Sequence, residues 1–126
     1  MGFNKIEDIN VADCLGSIKT LILRNNAISS LKGIEFLLAL QELDIRDNIL
    51  SDVSELELLS KLPFLSKLWL KGNPLSLSTD YRKLVYCALN SSTIELDGKP
   101  ASVQEINYLK KQQQEKSLHI KANTIP

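Results

Sequence analysis

The chain has 126 residues, of which 44% are hydrophobic and 24% are charged, a composition typical of one globular domain with a hydrophobic core. The 15 basic and 15 acidic residues cancel, which disfavours nucleic-acid binding and leaves recognition to local clusters of charge. The apolar runs are too short for membrane insertion and the start does not read as a signal peptide, so we expect an intracellular, cytoplasmic protein.

The first clear element is the segment LILRNN, in which leucines alternate with other residues. Alternation of this kind predicts a short β-strand, because successive side chains of a strand point to opposite faces. Leu21 and Leu23 are therefore predicted to point into a core. Thr20, Ile22 and Arg24 are predicted to point the other way.

The same pattern returns in LDIRDN and LWLKGN, which makes the segment a repeat. Asn26, Asn48 and Asn73 are in register, 22 and 25 residues apart, and Asn4 in FNKIEDI belongs to a partial earlier copy. A period of this length with L-x-L-x-x-N is the signature of leucine-rich repeats. Each unit is one strand plus a return segment that buries its apolar face only against its neighbours.

The repeats predict an α/β solenoid, with a parallel sheet on the concave face and helical or 3₁₀ returns on the convex side. The inward positions are Leu21, Leu23, Leu43, Ile45, Leu68 and Leu70. We expect Asn26, Asn48 and Asn73 to form a buried ladder, since a short amide can bond the backbone where each strand ends. This structural role is favoured over a catalytic one.

The return segments differ in length. The first has apolar residues at threefold spacing, which suits a tight helical return: Leu31, Ile34, Leu37 and Leu40. The second is three residues longer, so a fuller helical turn is predicted before Pro63. Its apolar positions are Val53, Leu56, Leu59 and Leu62.

After Asn73 the pattern changes to that of a terminal cap. A helix is predicted from about Asp80 to Leu89, with the apolar face Leu84, Val85, Ala88 and Leu89. A short strand at Thr93 to Leu96 follows, and Ser102 with Glu105 fits a capping box opening a last helix. The predicted division is residues 1–76 for the repeats, 77–109 for the cap, and 110–126 for a tail or linker.

The two ends carry further expectations. The last helix is predicted to reach about Lys116 and then to become extended, with Leu118, Ile120 and Ile125 resting on the solenoid flank or on a neighbour. At the other end, Met1 stands where an inward leucine belongs. We therefore expect the chain to be a fragment of a longer protein.

The cap sequence GNPLSLSTDYRKLV with IELDGKPAS resembles the cap of the 22-residue repeat class typified by the regulatory subunit of protein phosphatase 1. The segments LGSIKTL, ELDIRDN, LPFLSKL and NPLSLSTDYRKLV are similar to nischarin-like scaffolds. LWLKGN and ELDGKP are also similar to centriolin and the yeast spindle-pole scaffolds.

These resemblances imply a protein-interaction module of a larger scaffold or signalling protein. They imply partners such as a small GTPase, a kinase or phosphatase component, or a cytoskeletal or spindle-pole protein. An association with endosomes, centrosomes or spindle poles would come through other regions of the full protein. A phosphatase- or GTPase-pathway regulatory subunit is the alternative within this class.

Catalysis finds little support. His119 is the only histidine and lies in the polar tail, and no phosphate-binding glycine loop or metal-ligand motif occurs, so no cofactor and no metal are expected. Cys14 and Cys87 are isolated and are expected to be reduced and packed. The paired carboxylates are interpreted as solvated surface: Glu55 with Glu57, and Asp44 with Asp47.

The strand register names the residues of the concave face. They fall in three columns: Thr20, Glu42 and Lys67; Ile22, Asp44 and Trp69; Arg24, Arg46 and Lys71. Trp69 is predicted to be the anchor of a protein-binding surface, because exposed tryptophans are typical of interface hot spots. The alternative is that Glu95 or the stem of Lys67 or Lys71 covers its ring.

The third column stacks like charges at strand spacing. Such a column is unfavourable unless Asp44 or Asp47 screens it or an acidic partner docks on it. A protein with an acidic edge and an apolar anchor would fit both features of the face. A structural spacer without its own ligand is the competing interpretation.

Overall fold

The structure is a computed structural model, which describes the backbone of residues 17–124 and the side chains of residues 17–116. Within that part of the chain the elements are β1 (Thr20–Ile22), β2 (Glu42–Asp44), β3 (Lys67–Trp69), α1 (Tyr81–Leu89), β4 (Glu95–Leu96) and α2 (Val103–Thr124). Between them lie 3₁₀-helices at Ile34–Phe36, Val53–Lys61 and Pro74–Leu77.

The four strands form one parallel sheet in the order β1-β2-β3-β4, so every strand pairs with its neighbours in sequence. The inward leucines are in register, with Leu21 beside Leu43, Leu43 beside Leu68, and Leu68 beside Leu96. Parallel strands joined in sequence order by return segments make a solenoid. The predicted α/β solenoid is confirmed.

The core lies between the sheet and the returns. The inward strand residues Leu43, Ile45, Leu68 and Leu70 are fully buried. The first return contributes four more fully buried side chains, Leu31, Ile34, Leu37 and Leu40, because the threefold turn of a 3₁₀-helix puts every third residue on one side. Burial of each such side chain stabilises the fold by about 1.5–3 kcal/mol.

The longer second return is a 3₁₀-helix from Val53 to Lys61. Asp52 caps its start, since the Asp52 carboxylate accepts the Ser54 N–H at 2.9 Å. Glu55 reaches back to the preceding repeat and accepts the Leu31 N–H at 2.8 Å. The expectation that Glu55 is merely solvated surface is wrong, because its carboxylate joins two return segments.

The three repeat asparagines lie in a buried stack at the ends of the strands. Asn48 Nδ2 donates to the carbonyls of Leu23 and Ile45, each at 2.9 Å, and Asn48 Oδ1 accepts the Ile28 N–H at 3.1 Å. Asn73 repeats this arrangement one unit further along. The amides thus satisfy backbone groups that the strands leave behind, and they link neighbouring repeats.

The residue before each asparagine has a left-handed backbone. Its φ angle is 59° at Asn25, 59° at Asp47 and 83° at Gly72. A Cβ atom at Gly72 would lie 2.0 Å from Asp47 Oδ1 and 2.9 Å from the Asp47 backbone nitrogen. The backbone angle favours glycine there, although Asn25 and Asp47 adopt a similar angle, and the close approach of Asp47 leaves no room for a Cβ atom.

The first cap helix, α1, buries the predicted face except at Leu84, and Ala88 packs against the core. Val85 and Leu89 are buried as expected, but Leu84 is 36% exposed. Tyr81 and Tyr86 are buried in its place. The spacing of Tyr81, Val85 and Leu89 is the four-residue spacing of a helix face, and Leu84 lies outside it.

The cap then closes with β4 and α2. Strand β4 covers only Glu95 and Leu96, so the predicted strand from Thr93 is shorter than expected. The predicted capping box is confirmed: the Glu105 N–H donates to Ser102 Oγ at 3.1 Å, and the Ser102 N–H donates to Glu105 Oε1 at 2.9 Å.

Helix α2 runs without interruption from Val103 to Thr124. The expectation of an extended chain after Lys116 is wrong, and the predicted boundary between cap and tail at residues 109 and 110 falls inside this helix. The run of Lys, Gln and Glu consists of good helix formers, and no proline occurs between Val103 and Pro126. The predicted contacts of Leu118, Ile120 and Ile125 lie outside the described side chains.

Other expectations also fall outside the described part of the chain, namely those for Met1, Asn4, Cys14 and His119. Cys87 is a free thiol, half-buried, and burial raises its pKa. No helix among the described residues combines the length and the apolar character that crossing a membrane requires.

Candidate functional site

The outward face of the sheet holds the residues that the sequence places in columns. Thr20 lies beside Glu42 and Glu42 beside Lys67, and the column continues to Glu95 in the cap. In the middle column Ile22 lies beside Asp44 and Asp44 beside Trp69. We call this surface the concave face, defined by Thr20, Ile22, Arg24, Glu42, Asp44, Arg46, Lys67, Trp69 and Lys71.

Asp44 is the centre of the charge pattern on this face. Its side chain is only 5% exposed, and its carboxylate pairs with Arg46 at 2.7 Å and with Arg24 at 3.2 Å. The hydrogen bond to Asp44 raises the pKa of Arg46. The expectation that Asp44 is solvated surface is therefore wrong, because two arginines from neighbouring repeats cover it.

Asp44 thus screens two members of the like-charge column and holds both guanidinium groups in place. Arg24 and Arg46 keep 46% and 32% of their side-chain surface exposed. A guanidinium has five N–H donors, so each arginine retains donors that point away from Asp44. The third member, Lys71, is exposed and has no ion-pair partner among the described side chains.

Trp69 is half-buried on the concave face, where it contacts the second repeat and the cap. Its indole Nε1 donates to Glu42 Oε2 at 2.9 Å. The Arg46 guanidinium carbon lies 4.7 Å from the ring centroid, a cation–π contact. A Cβ atom at Gly98 would lie 3.4 Å from the ring edge, so the cap backbone also packs against Trp69.

The apolar part of the face that stays accessible is Ile22. It is 42% exposed in the middle column, in line with Asp44 and Trp69. Thr20 and Lys67 are also exposed. The concave face therefore presents Ile22, the two ordered arginines, and Lys67 and Lys71, which form no ion pair among the described side chains.

A pocket of 440 Å³ lies where the last repeat meets the cap, at one end of the concave face. We call it the cap pocket, and its lining residues are Lys71, Gly72, Ser76, Tyr81, Arg82, Asp97 and Lys99. The Tyr81 hydroxyl donates to Asp97. Burial raises the pKa of Tyr81, and the bond to Asp97 raises it further, so the phenol stays protonated.

Sequence reasoning did not single out Asp97, Lys99 or Arg82 as site residues. The signal was present in LDG, since a turn with positive φ at Asp97 and Gly98 folds the chain back beside the last repeat. The described residues hold no cluster of His, Cys, Asp and Glu suited to a metal ion.

The sequence and the fold of the chain are similar to those of several known proteins. No family model matches the chain. A chain in the crystal structure of the Drosophila melanogaster SNF/U2A′ complex superposes with a TM-score of 0.59 at 20% identity, covering 94% of this chain and 83% of that one. The fold is that of the leucine-rich repeats.

Two curated relatives match the chain in sequence, and one of them is named for its leucine-rich repeats. The chain is 41% identical over 96 residues, 73% of its length, to serine/threonine-protein kinase 11-interacting protein of Gallus gallus. It is 45% identical over 67 residues, 52% of its length, to leucine-rich repeat-containing protein 36 of Mus musculus. The matched regions span 9% of each of these relatives.

The chain thus has the leucine-rich-repeat fold. The narrower resemblances, to the phosphatase-regulator class and to nischarin-like or centriolin-like scaffolds, stay predictions.

Proposed function

We propose that the chain is a protein-interaction module that binds a protein partner on its concave face. The observation that carries this proposal is the cluster of Arg24, Arg46 and Trp69 around buried Asp44. The Asp44 carboxylate and the Trp69 ring hold the arginines in fixed positions, so little side-chain entropy is lost when a partner binds them.

The chemistry of the face selects the kind of partner. Arg24, Arg46, Lys67 and Lys71 outnumber the carboxylates Glu42 and Asp44 on the concave face. Ile22 adds exposed apolar surface beside them. A segment with carboxylates along one edge and an apolar side chain for Ile22 and the Trp69 ring complements this pattern.

Candidate partners follow from the relatives and from the resemblances in the sequence. The relative from Gallus gallus is named for an interaction with a serine/threonine-protein kinase, so serine/threonine-protein kinase 11 is the first purified partner to test. Small GTPases, phosphatase components and cytoskeletal or spindle-pole proteins come next. We propose a cytoplasmic location for this binding.

The test compares two exposed apolar residues on different surfaces. Ile22 is 42% exposed on the concave face, and Leu38 is 54% exposed in the turn before β2. The wild-type chain, Ile22→Asp and Leu38→Asp are immobilised, and the proteins that each retains from a cell lysate are compared by quantitative mass spectrometry. Purified serine/threonine-protein kinase 11 is applied in parallel.

We expect proteins retained by the wild type and by Leu38→Asp to be lost from Ile22→Asp. Retention that survives Ile22→Asp but not Leu38→Asp would place the binding surface on the turns and contradict the proposal. Equal retention by all three chains would favour a spacer without a ligand on its sheet.

A further inference from the structure

The Asp97 carboxylate inside the cap pocket accepts most of its hydrogen bonds from the surrounding fold. Asp97 Oδ1 accepts the backbone N–H groups of Leu70 at 2.8 Å and Lys71 at 3.2 Å. Asp97 Oδ2 accepts the Tyr81 hydroxyl. Asp97 therefore ties the cap to the last repeat and has little capacity left to pair with the lysines of the pocket.

The arginine of the pocket is used in the same way. Arg82 pairs with Glu105 at 2.9 Å and donates to the carbonyls of Leu96, Lys99 and Pro100 at 2.8 to 3.2 Å. Its guanidinium is thus a structural clamp on the cap turn, and its charge is balanced by Glu105.

The two lysines of the pocket are different. Lys71 and Lys99 are exposed, and neither has a carboxylate within ion-pair distance among the described side chains. Their backbones are fixed, since the Lys71 carbonyl accepts the Asp47 N–H at 3.0 Å and the Lys99 N–H donates to the Leu96 carbonyl at 3.1 Å. Two ammonium groups therefore extend from fixed points on one pocket.

The local charges leave a surplus. The cations Lys71, Arg82 and Lys99 are matched by two carboxylates, Asp97 and Glu105. Asp47 lies beside Gly72 at the rim, but it does not line the pocket and forms no ion pair among the described side chains. Counted over the lining residues and Glu105, the pocket carries one excess positive charge, which a single carboxylate would balance.

We infer that the cap pocket binds a side-chain carboxylate from an acidic segment of a protein partner, held between Lys71 and Lys99. The volume of 440 Å³ admits such a side chain. Lys71 belongs both to the concave face and to the pocket, so a segment lying along the face reaches the pocket at the cap end. The inference rests on the proposed function, because it gives a binding site to the carboxylate at one end of the partner's acidic edge.

The test is a titration followed by two-dimensional ¹H–¹⁵N NMR of the intact chain. The probe is a hexaglutamate peptide with blocked ends, and hexaglutamine is the neutral control. Inorganic phosphate is titrated separately. The variants are Lys99→Gln, which alters the pocket alone, and Lys61→Gln, which removes an exposed lysine from the second return.

We expect hexaglutamate to shift the amide signals of Gly72 and Lys99 in a saturable way, and hexaglutamine to leave them unchanged. Lys99→Gln should weaken this binding about fivefold, the usual effect of losing one exposed charge pair, while Lys61→Gln should not.

Three results would overturn the inference. Shifts confined to Ile22 and Asp44 would mean that acidic segments bind the concave face without the pocket, so the proposed function would survive alone. Saturation by inorganic phosphate at equal or higher affinity would assign the pocket to a small anion. If no amide signal shifted, the pocket would not be a carboxylate-binding site. The retention experiment with Ile22→Asp would still test the proposed function.

Discussion

At the scale of single residues, Trp69 is held by groups from the preceding repeat and from the cap. Its ring lies under Arg46, bonds Glu42 through Nε1 and packs against the Gly98 turn. These contacts mean that Trp69 contributes to the stability of the fold as well as to partner binding. The two contributions can be separated by mutation, because the ring and the N–H group make different contacts.

Trp69→Ala is expected to lower the free energy of unfolding by about 1–2 kcal/mol, through loss of the cation–π contact and the Nε1 hydrogen bond. Partner binding should weaken by about 2 kcal/mol or more. Urea unfolding and calorimetric titration measure the two effects.

The control is Trp69→Phe, which keeps an aromatic ring for Arg46 and loses only the N–H group. It should retain most of the binding. A chain that unfolds entirely with Trp69→Ala would contradict the placement of the ring on the outer face of the sheet.

The sequence predicted where these side chains lie but not how they contact one another. A repeat of known period places Asp44 and Trp69 in one column, because backbone register follows from the leucine spacing. The ion pairs of Asp44 with Arg24 and Arg46 depend on side-chain conformations, which the repeat period does not determine. The same limit explains why Glu42, and not Glu95, bonds the indole.

At the scale of elements, the turn after each strand depends on a left-handed residue. Gly72 and Gly98 both have positive φ, 83° and 80°, but their surroundings differ. An added Cβ would meet the Asp47 backbone at 2.9 Å in the first case and the Trp69 ring at 3.4 Å in the second. The pair therefore separates backbone strain from steric overlap.

We expect Gly98→Ala to cost about 1 kcal/mol from strain alone and Gly72→Ala to cost about 2 kcal/mol or more, because Asp47 must also shift. Thermal and urea unfolding of the two variants test this order. Equal destabilisation would mean that Asp47 moves aside freely, and the close approach would then have no structural role.

The start of α2 makes stability depend on pH. Burial alone would raise the pKa of Glu105, but the Ser102 N–H and the Arg82 guanidinium lower it below its ordinary value. A group whose pKa is lowered by folding stabilises the native state above its unfolded pKa, and this contribution is lost as pH falls through the folded pKa.

The wild type should therefore be more stable than Glu105→Gln at neutral pH, and the difference should vanish below about pH 4. Glutamine retains the capping-box bonds, so the comparison isolates the charge pair with Arg82. Urea unfolding of both chains across the acid range measures it. A difference that does not change with pH would contradict the ion pair.

The elements also show where local sequence signals suffice and where they fail. The capping box at Ser102 and Glu105 was readable, because it is a contact between residues three apart. The burial of Tyr81 and Tyr86 in place of Leu84 was not, since hydroxyl partners for buried tyrosines come from distant segments. Tyr86, for example, donates to the Ile94 carbonyl at 2.8 Å.

At the scale of the whole molecule, the solenoid is held together across repeats by the asparagine stack. Asn48 bonds backbone groups of Leu23, Ile28 and Ile45, so one side chain joins two units. Removing it leaves buried donors and acceptors without partners.

Asn48→Ala is expected to lower the free energy of unfolding by about 3 kcal/mol. The control is Gln113→Ala, an exposed amide whose bond to Asn90 lies on the surface of the cap, and it should cost less than about 0.5 kcal/mol. Urea unfolding of both variants decides. If both variants lowered the free energy of unfolding by the same small amount, the asparagine stack would not couple the repeats.

The central claim is that the concave face is the binding surface, and salt-dependent affinity tests it most directly. A partner retained by the wild-type chain is titrated calorimetrically into the wild type, Lys67→Glu on the concave face, and Lys61→Glu on the second return. Lys67 and Lys61 are both exposed lysines without an ion-pair partner among the described side chains, and neither lines the cap pocket. We expect Lys67→Glu to raise Kd about tenfold at low salt and Lys61→Glu to leave it unchanged, with the difference fading at high salt. Equal Kd values for the two variants at low salt would contradict the claim.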